Sequence, residues 1–302
     1  MSPGRRKSGP SHTMGRPDMI ARDDSSPAGA VSCASPPTAP DISRTVLAIA
    51  GMDPSGGAGI AADLKTIGAY RHNGAAVVTS ITVQNTVSIR AVYDLPEELV
   101  ARQIEAILSD FTVDAVKIGM LGTAGTTERV AAAIRGQDLP NVVLDPVLRS
   151  SSGTPLLEKK GLAVLRQKLL PLALVVTPNM AEAAALTGLR VTDLDSMKEA
   201  ARKLHAMGAR HAVVTGGHLG ARAIDILFDG ARFAIYDSMR IQTSSTHGIG
   251  CTFSTAVACQ LARGVGAADA VGGAKRDVSR AAQKAPRIGK GAGPLNHLVT
   301  PF

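Results

Sequence analysis

The sequence predicts an α/β fold with a mostly parallel central sheet covered by helices on both faces. Three observations carry that expectation. Short apolar, strand-like runs alternate with helix-length segments from Thr45 onward. Runs such as Val46-Leu47-Ala48-Ile49-Ala50 read as strands buried in a sheet. Apolar residues make up 45% of the chain and charged residues 19%, which is enough to build a large core.

The elements follow in order. Residues 46–50 form the first strand, and a glycine-rich loop runs from Gly51 to Gly59. Ile60, Leu64 and Ile67 recur at near-helical spacing and predict a helix over 60–72. A second strand covers Ala75–Val83, and a helix covers about Pro96–Phe111. Then come a strand at Ala115–Ile118, a helix near Thr126–Arg135 and a strand at Val142–Leu144. A helix around Leu156–Leu169 separates that strand from Leu174-Val175-Val176. Asp195–Met207 reads as helix and Ala212–Val214 as strand. Ile224–Phe228 and Phe233–Tyr236, joined around Asp229-Gly230, predict a hairpin. Two helices over roughly 252–263 and 267–285 close the pattern.

Residues 1–43 stand apart. They are rich in Ser, Pro, Gly and Ala, and cannot bury enough apolar surface to offset chain entropy. They are expected to be a disordered tail, with one domain over 44–302. Thirty-three basic against twenty-five acidic residues give a net charge of +8. The positive charges are scattered, and Trp is absent, so no nucleic-acid partner is expected. No apolar run reaches membrane-spanning length, so no membrane partner is expected either. Cys33, Cys251 and Cys259 fit no zinc module and cannot all pair, which points to a reducing, cytoplasmic setting. The sequence leaves a homodimer open.

In parallel sheets, ligands sit beyond the carboxyl ends of the strands, so the loops there hold the candidate chemistry. The four glycines of 51–59 are either a packing turn or a cradle of open amides at a helix start. Gly57-Ala58-Gly59-Ile60-Ala61-Ala62 also fits a relaxed dinucleotide pattern, but the second strand ends at Gln84, not at a ribose-binding acid. Asp63 is either a surface charge favoured by the helix dipole or a substrate contact. Gln84 either reads a heterocycle by donating and accepting at once, or belongs with Asn85 and Thr86 to an ordinary turn. Met120 is core filler or a pocket wall.

Asp145, ending a strand, can bind a divalent metal or hold a basic residue. Asn179 and Glu182, three apart, form a capping-box pattern and also suit hydrated Mg²⁺ beside phosphate. Thr246-His247-Gly248-Ile249-Gly250-Cys251 precedes a helix, and its amides make an anion hole. Cys251, on the first helical turn, is either a small buried hydrophobe or a thiol with depressed pKa acting as base. Cys259 reads as core.

Taken as a set, these stretches resemble the hydroxymethylpyrimidine/phosphomethylpyrimidine kinases of thiamine biosynthesis, within the ribokinase superfamily. The resemblance rests on Ala50–Ile60 with Ala62–Thr66, Gln84-Asn85-Thr86, Lys117-Ile118-Gly119-Met120-Leu121, and Thr177-Pro178-Asn179 with Glu182-Ala183. It continues through Gly216-Gly217-His218, Thr246-His247-Gly248 with Gly250-Cys251-Thr252, and Gly293–His297. It implies a three-layer α/β/α kinase using ATP and Mg²⁺. Gly51, Asp63, Gln84, Met120 and Val147 match the family's pyrimidine pocket. Asn179, Thr215, Gly217 and Gly248 fall at ATP-phosphate positions, and Asp145 and Glu182 at the metal. Cys251, with Gly248 and Gly250, takes the catalytic place. The implied reaction phosphorylates the 5-hydroxymethyl group and then the resulting monophosphate. Pyridoxal kinase activity, or a weakly active pyrimidine-binding homologue, are the alternatives on the same scaffold. Three positions differ from the usual family pattern: Thr215 replaces a Lys, Ile249 a Thr and Ala292 a His. The first removes a cation that would meet phosphate charge.

Overall fold

A computed structural model of the chain describes residues 44–219, 222–243 and 245–299. The proposed tail, Cys33 included, lies outside the described residues. Nine strands form a single sheet in the order β3-β2-β1-β4-β5-β6-β7-β8-β9. They are β1 (Thr45–Met52), β2 (Asn73–Gln84), β3 (Ile89–Asp94), β4 (Ala115–Ile118), β5 (Val142–Leu144), β6 (Val175–Val176), β7 (His211–Leu219), β8 (Arg222–Phe228) and β9 (Phe233–Met239). The pairings from β2 through β1, β4, β5 and β6 to β7 are all parallel. β3 at one edge and the β8–β9 hairpin at the other are antiparallel.

The helices are α1 (Gly59–Ala69), α2 (Glu97–Leu108), α3 (Ala124–Gly136), α4 (Lys159–Val164), α5 (Met180–Thr187), α6 (Leu194–Ala206), α7 (Ile249–Ala262) and α8 (Ala267–Gln283). Alternation along β1 shows why three layers form. Leu47 and Ile49 face a core shared with α2, α3, α5 and α6. Val46, Ala48 and Ala50 face the opposite core, shared with α1, α7 and α8. All five are fully buried. Such strands have no solvent face, so they read as continuous apolar runs.

The sequence expectations hold for element type and order, with three differences. The cap read at Asn179 and Glu182 opens a full helix, α5, absent from the expected elements. β3 was not predicted: its Ile-Arg-Ala-Val-Tyr-Asp pattern buries no residue fully, as suits an edge strand. The helix expected from Leu156 starts at Lys159, because Glu158 is extended and donates its N–H to the Gly122 carbonyl. That helix continues into a π-helical turn over Leu165–Leu169. Cys259 is core, with no exposure.

Capping fixes several helix starts. Thr123 accepts from the Thr126 N–H, and Asn179 with Glu182 and Asp193 with Ser196 form reciprocal capping boxes. α7 differs. Gly248 is its N-cap, and no side chain caps its first turn. Its leading amides are therefore left for another partner.

Candidate active site

The carboxyl ends of β2, β1, β4, β5, β6 and β7 line up in that order along one edge of the sheet, and most candidate residues fall there. Gly51 is the penultimate residue of β1 and Gln84 ends β2. Met120 follows β4. A Cβ on Gly51 would lie 2.8 Å from the Met120 sulfur, so these two share one wall. Met120 is buried at 7% exposure, and its carbonyl accepts from Thr79 Oγ1 at 2.7 Å. Val147, half-buried, follows Asp145 on the β5 loop and donates its N–H to the Asp145 carbonyl.

Asp63 is not a surface charge. It has no exposure, and Lys117 Nζ reaches both its oxygens at 2.9 Å. Thr255 Oγ1 donates to Oδ1 at 2.7 Å. The helix dipole argument failed because α1 turns this residue inward onto the sheet. Burial alone would lower the Lys117 pKa, but Asp63, then Cys251 and Asp145, outweigh it and keep the ammonium protonated. Burial draws the Asp63 carboxyl upward while Lys117 opposes it. In the sequence Lys117 stands only within a motif; a lone Lys inside the apolar strand Ala115–Ile118 marks a buried charge, but its partner Asp63 lies 54 residues away.

Asp145 is 5% exposed and accepts from Ser254 Oγ at 3.2 Å. Burial raises its pKa, with Lys117 opposing. Glu182 is 9% exposed, and its Oε2 accepts the Asn179 N–H at 3.0 Å. Burial, then repulsion from Asp145, pushes its carboxyl up to about 8. The capping reading of Asn179 and Glu182 therefore holds, and the same Glu182 feels the charge of Asp145. Two buried carboxylates that destabilise each other fit a divalent cation by charge and by hard oxygen chemistry. Among the described residues there is no group of three or more His, Cys, Asp or Glu able to hold a metal. Phosphate oxygens or water would complete such a shell. Thr215, on β7, bridges to Asn179, donating its N–H to the Pro178 carbonyl at 2.9 Å, and Gly217 is exposed beyond it.

Two glycine loops close over the strand ends. Asp53 accepts from Ser55 N, Ser55 Oγ and Ala58 N at 2.9, 2.9 and 3.0 Å. His247 Nε2 lies 2.6 Å from Asp53 Oδ2. Burial would raise the Asp53 carboxyl, but its hydrogen bonds from His247 and Ser55 hold it below the usual carboxylate value. Gly248 has φ +80°, and a Cβ there would meet the Gly57 carbonyl oxygen at 1.8 Å. Only glycine lets the loops approach so closely. Asp53 and His247 lie within the quoted motifs, but their sequence context alone assigns them no role. Polar side chains placed inside glycine loops were the available signal.

Cys251 is at the third position of α7. Its pKa is raised to about 12, chiefly by burial, with Asp145 and Asp63 adding to the rise and Lys117 opposing it. The depressed pKa expected from the helix start is overturned: desolvation and two nearby carboxylates outweigh the helix terminus. At neutral pH the residue is a thiol.

Parallel sheet, flanking helix layers, paired buried carboxylates and an open helix N-terminus define a ribokinase-like α/β/α kinase. The Phosphomethylpyrimidine kinase family model matches residues 53–296. The chain belongs to that family, and it is a phosphotransferase. It is 43% identical over 261 residues to a hydroxymethylpyrimidine/phosphomethylpyrimidine kinase of Streptomyces coelicolor, covering 86% of this chain and 97% of that one. It is 44% identical over 256 residues to a thiamine biosynthesis bifunctional protein of Geobacter sulfurreducens, covering 84% of this chain and 52% of that protein. The chain thus spans about half of the bifunctional relative. Among solved structures, pyridoxal kinase from Staphylococcus aureus in complex with AMP-PCP and pyridoxal superposes with a TM-score of 0.77. It is 34% identical, over 84% of this chain and 94% of that one. These likenesses support ATP as phosphoryl donor rather than the dinucleotide pattern read at Gly57–Ala62. No helix among the described residues is long and apolar enough to cross a membrane.

Proposed function

We propose that the chain transfers the γ-phosphoryl group of ATP to the 5-hydroxymethyl group of 4-amino-5-hydroxymethyl-2-methylpyrimidine. It then transfers a second phosphoryl group to the resulting monophosphate. The observation that carries this reading is the uncapped N-terminus of α7, whose Ser254 Oγ donates to Asp145 of the buried carboxylate pair at 3.2 Å. Phosphoryl transfer needs this combination more than it needs a strong base.

Gly248 and Gly250 leave amides for the transferring phosphoryl, and Cys251, as a thiol, orients the acceptor hydroxyl. Asp145 and Glu182 would hold Mg²⁺, which when bound neutralises charge on the phosphates. Asn179, Thr215 and Gly217 lie where ATP phosphates would rest. Gly51, Gln84, Met120 and Val147 would form the ring pocket, with Gln84 reading the ring edge. Asp63, which the resemblance put in that pocket, has no exposure and keeps both oxygens on Lys117, so it would support the pocket without touching the ring. The second reading, pyridoxal phosphorylation, is favoured by the likeness to the pyridoxal-bound kinase. The free thiols of Cys251 and Cys259 support a reducing, cytoplasmic setting.

The test is a coupled ADP-release assay with MgATP and the pyrimidine alcohol, its monophosphate or pyridoxal as acceptor. Turnover of both pyrimidines above pyridoxal is expected. Gln84→Leu should raise KM for the pyrimidine ~10-fold or more and leave that for ATP unchanged, since an unpaired buried polar edge costs ~1–3 kcal/mol. A folded sample that releases ADP with neither pyrimidine would refute the reading.

A further inference from the structure

Gln84 offers one carboxamide at the end of β2, and its neighbours fix which way that group must face. Its Nε2 lies 3.1 Å from His247 Nε2, and its Oε1 lies 3.1 Å from Thr82 Oγ1. Both neighbours are already committed. His247 Nε2 is 2.6 Å from Asp53 Oδ2, and an ionised carboxylate accepts only from a nitrogen that carries a proton. A protonated ring nitrogen cannot also accept an amide N–H. The Thr82 hydroxyl has one proton, and the Met52 carbonyl lies 3.1 Å from it. It cannot donate to two oxygens.

A half-turn of the carboxamide removes both conflicts. Oε1 then accepts from His247 Nε2–H, shared with Asp53. Nε2 donates to Thr82 Oγ1, which in turn donates to the Met52 carbonyl. The nitrogen and oxygen of an amide are distinguished by such a network. We propose that His247 and Thr82 clamp the Gln84 carboxamide in this orientation, making His247 a positioning residue that decides which heterocycle edge the site accepts.

The clamp is itself held. The His247 backbone N–H donates to the Gly293 carbonyl at 3.2 Å. Its ring lies so close to Gly57 that a Cβ there would fall 2.4 Å from Cδ2. Asp53 is anchored by Ser55 and Ala58.

The consequence for selection rests on the proposed role of Gln84 as the ring contact. Each end of the clamped amide keeps one further hydrogen-bonding capacity. Donor and acceptor are therefore offered in one fixed order. A 4-aminopyrimidine edge presents a ring-nitrogen acceptor beside an amino donor. Its 4-oxo counterpart presents a ring N–H donor beside a carbonyl acceptor, the reverse order. A rotatable amide would serve both rings; a clamped one serves one. The ring cannot turn over instead, because its hydroxymethyl group must face the α7 N-terminus.

The experiment measures kcat/KM and calorimetric affinity for the 4-amino alcohol and for the 4-oxo alcohol, using the full chain. Wild type should prefer the amino ring by ~100-fold, the scale at which a polar site rejects a mispaired analogue. His247→Leu should narrow that preference below tenfold, and His247→Gln, which restores an N–H donor, should recover most of it. Thr82→Val, close in shape, loosens the other end of the amide and should narrow the preference too. It decides the matter if His247→Leu does not fold. A merely structural role would weaken both rings together and leave their ratio unmoved. Wild-type preference unchanged in both the His247→Leu and Thr82→Val variants would overturn the clamp while leaving the pyrimidine reading intact. Turnover of neither ring by wild type would overturn that reading and the clamp with it.

Discussion

Cys251 shows how the environment of one side chain decides its chemistry. A thiol on a first helical turn meets positive partial charge, which favours thiolate. Here desolvation, Asp145 and Asp63 favour the thiol more strongly, and the pKa rises to about 12. A loose phosphoryl-transfer transition state asks little of a base, so a hydrogen-bonding thiol suffices. Cys251→Ser keeps a donor and acceptor in place and should hold kcat within ~10-fold, because a neutral hydrogen bond is worth ~0.5–1.5 kcal/mol. Cys251→Ala should fall further. At pH 7.5 the thiol should react with iodoacetamide much more slowly than free cysteine. Fast alkylation at that pH would contradict the protonated assignment. The residues whose type alone was informative, Gln84, Asn179, Glu182 and Asp145, were legible in the sequence. Lys117, Asp53 and His247 were not, because their meaning lies in partners far along the chain, 54 residues away for Lys117 and 194 for Asp53.

Among the elements, α7 depends on its glycine N-cap. At φ +80° an L side chain costs ~1–2 kcal/mol in backbone strain, before the clash with Gly57. Gly248→Ala should therefore push the two loops apart. The expected result is a Tm lower by a few degrees and kcat/KM down by more than ~10²-fold, on the scale of losing an oxyanion donor. A Cβ at Gly250 meets no atom within 4 Å, so Gly250→Ala should leave Tm nearly unchanged. Differential scanning fluorimetry with parallel kinetics checks both. Helices and buried strands were readable because their periodicity is strong. β3 was not, since a half-exposed edge strand has weak patterning and its pairing with β2 is a tertiary event.

For the whole molecule, the C-terminal segment is tied back to α7 by His297, which is 8% exposed and 3.0 Å from Thr252 Oγ1. Burial, then repulsion from Lys65, lowers its pKa to about 4. The unfolded chain takes up a proton near the ordinary value of 6.5, before the folded chain does. Stability from this group is therefore full above pH 6.5 and drains as pH falls towards 4. His297→Gln should flatten that part of the Tm-against-pH curve between 6.5 and 4. An unchanged slope would show that other groups govern acid sensitivity. The fold class was legible because alternation of strand and helix forces parallel pairing; the order of the strands across the sheet was not. The closure of the C-terminal segment on α7 was not legible either.

The ion-paired centre also sets an order in time. Asp63 leaves the ribosome with α1, yet its cation Lys117 follows 54 residues later and its hydroxyl donor Thr255 192 residues later. Until α7 is made, a carboxylate destined for full burial lacks part of its compensation. The first half of the sheet therefore has reason to stay loose during synthesis, and the helix that completes the anion cradle is also the one that lets the nascent core close.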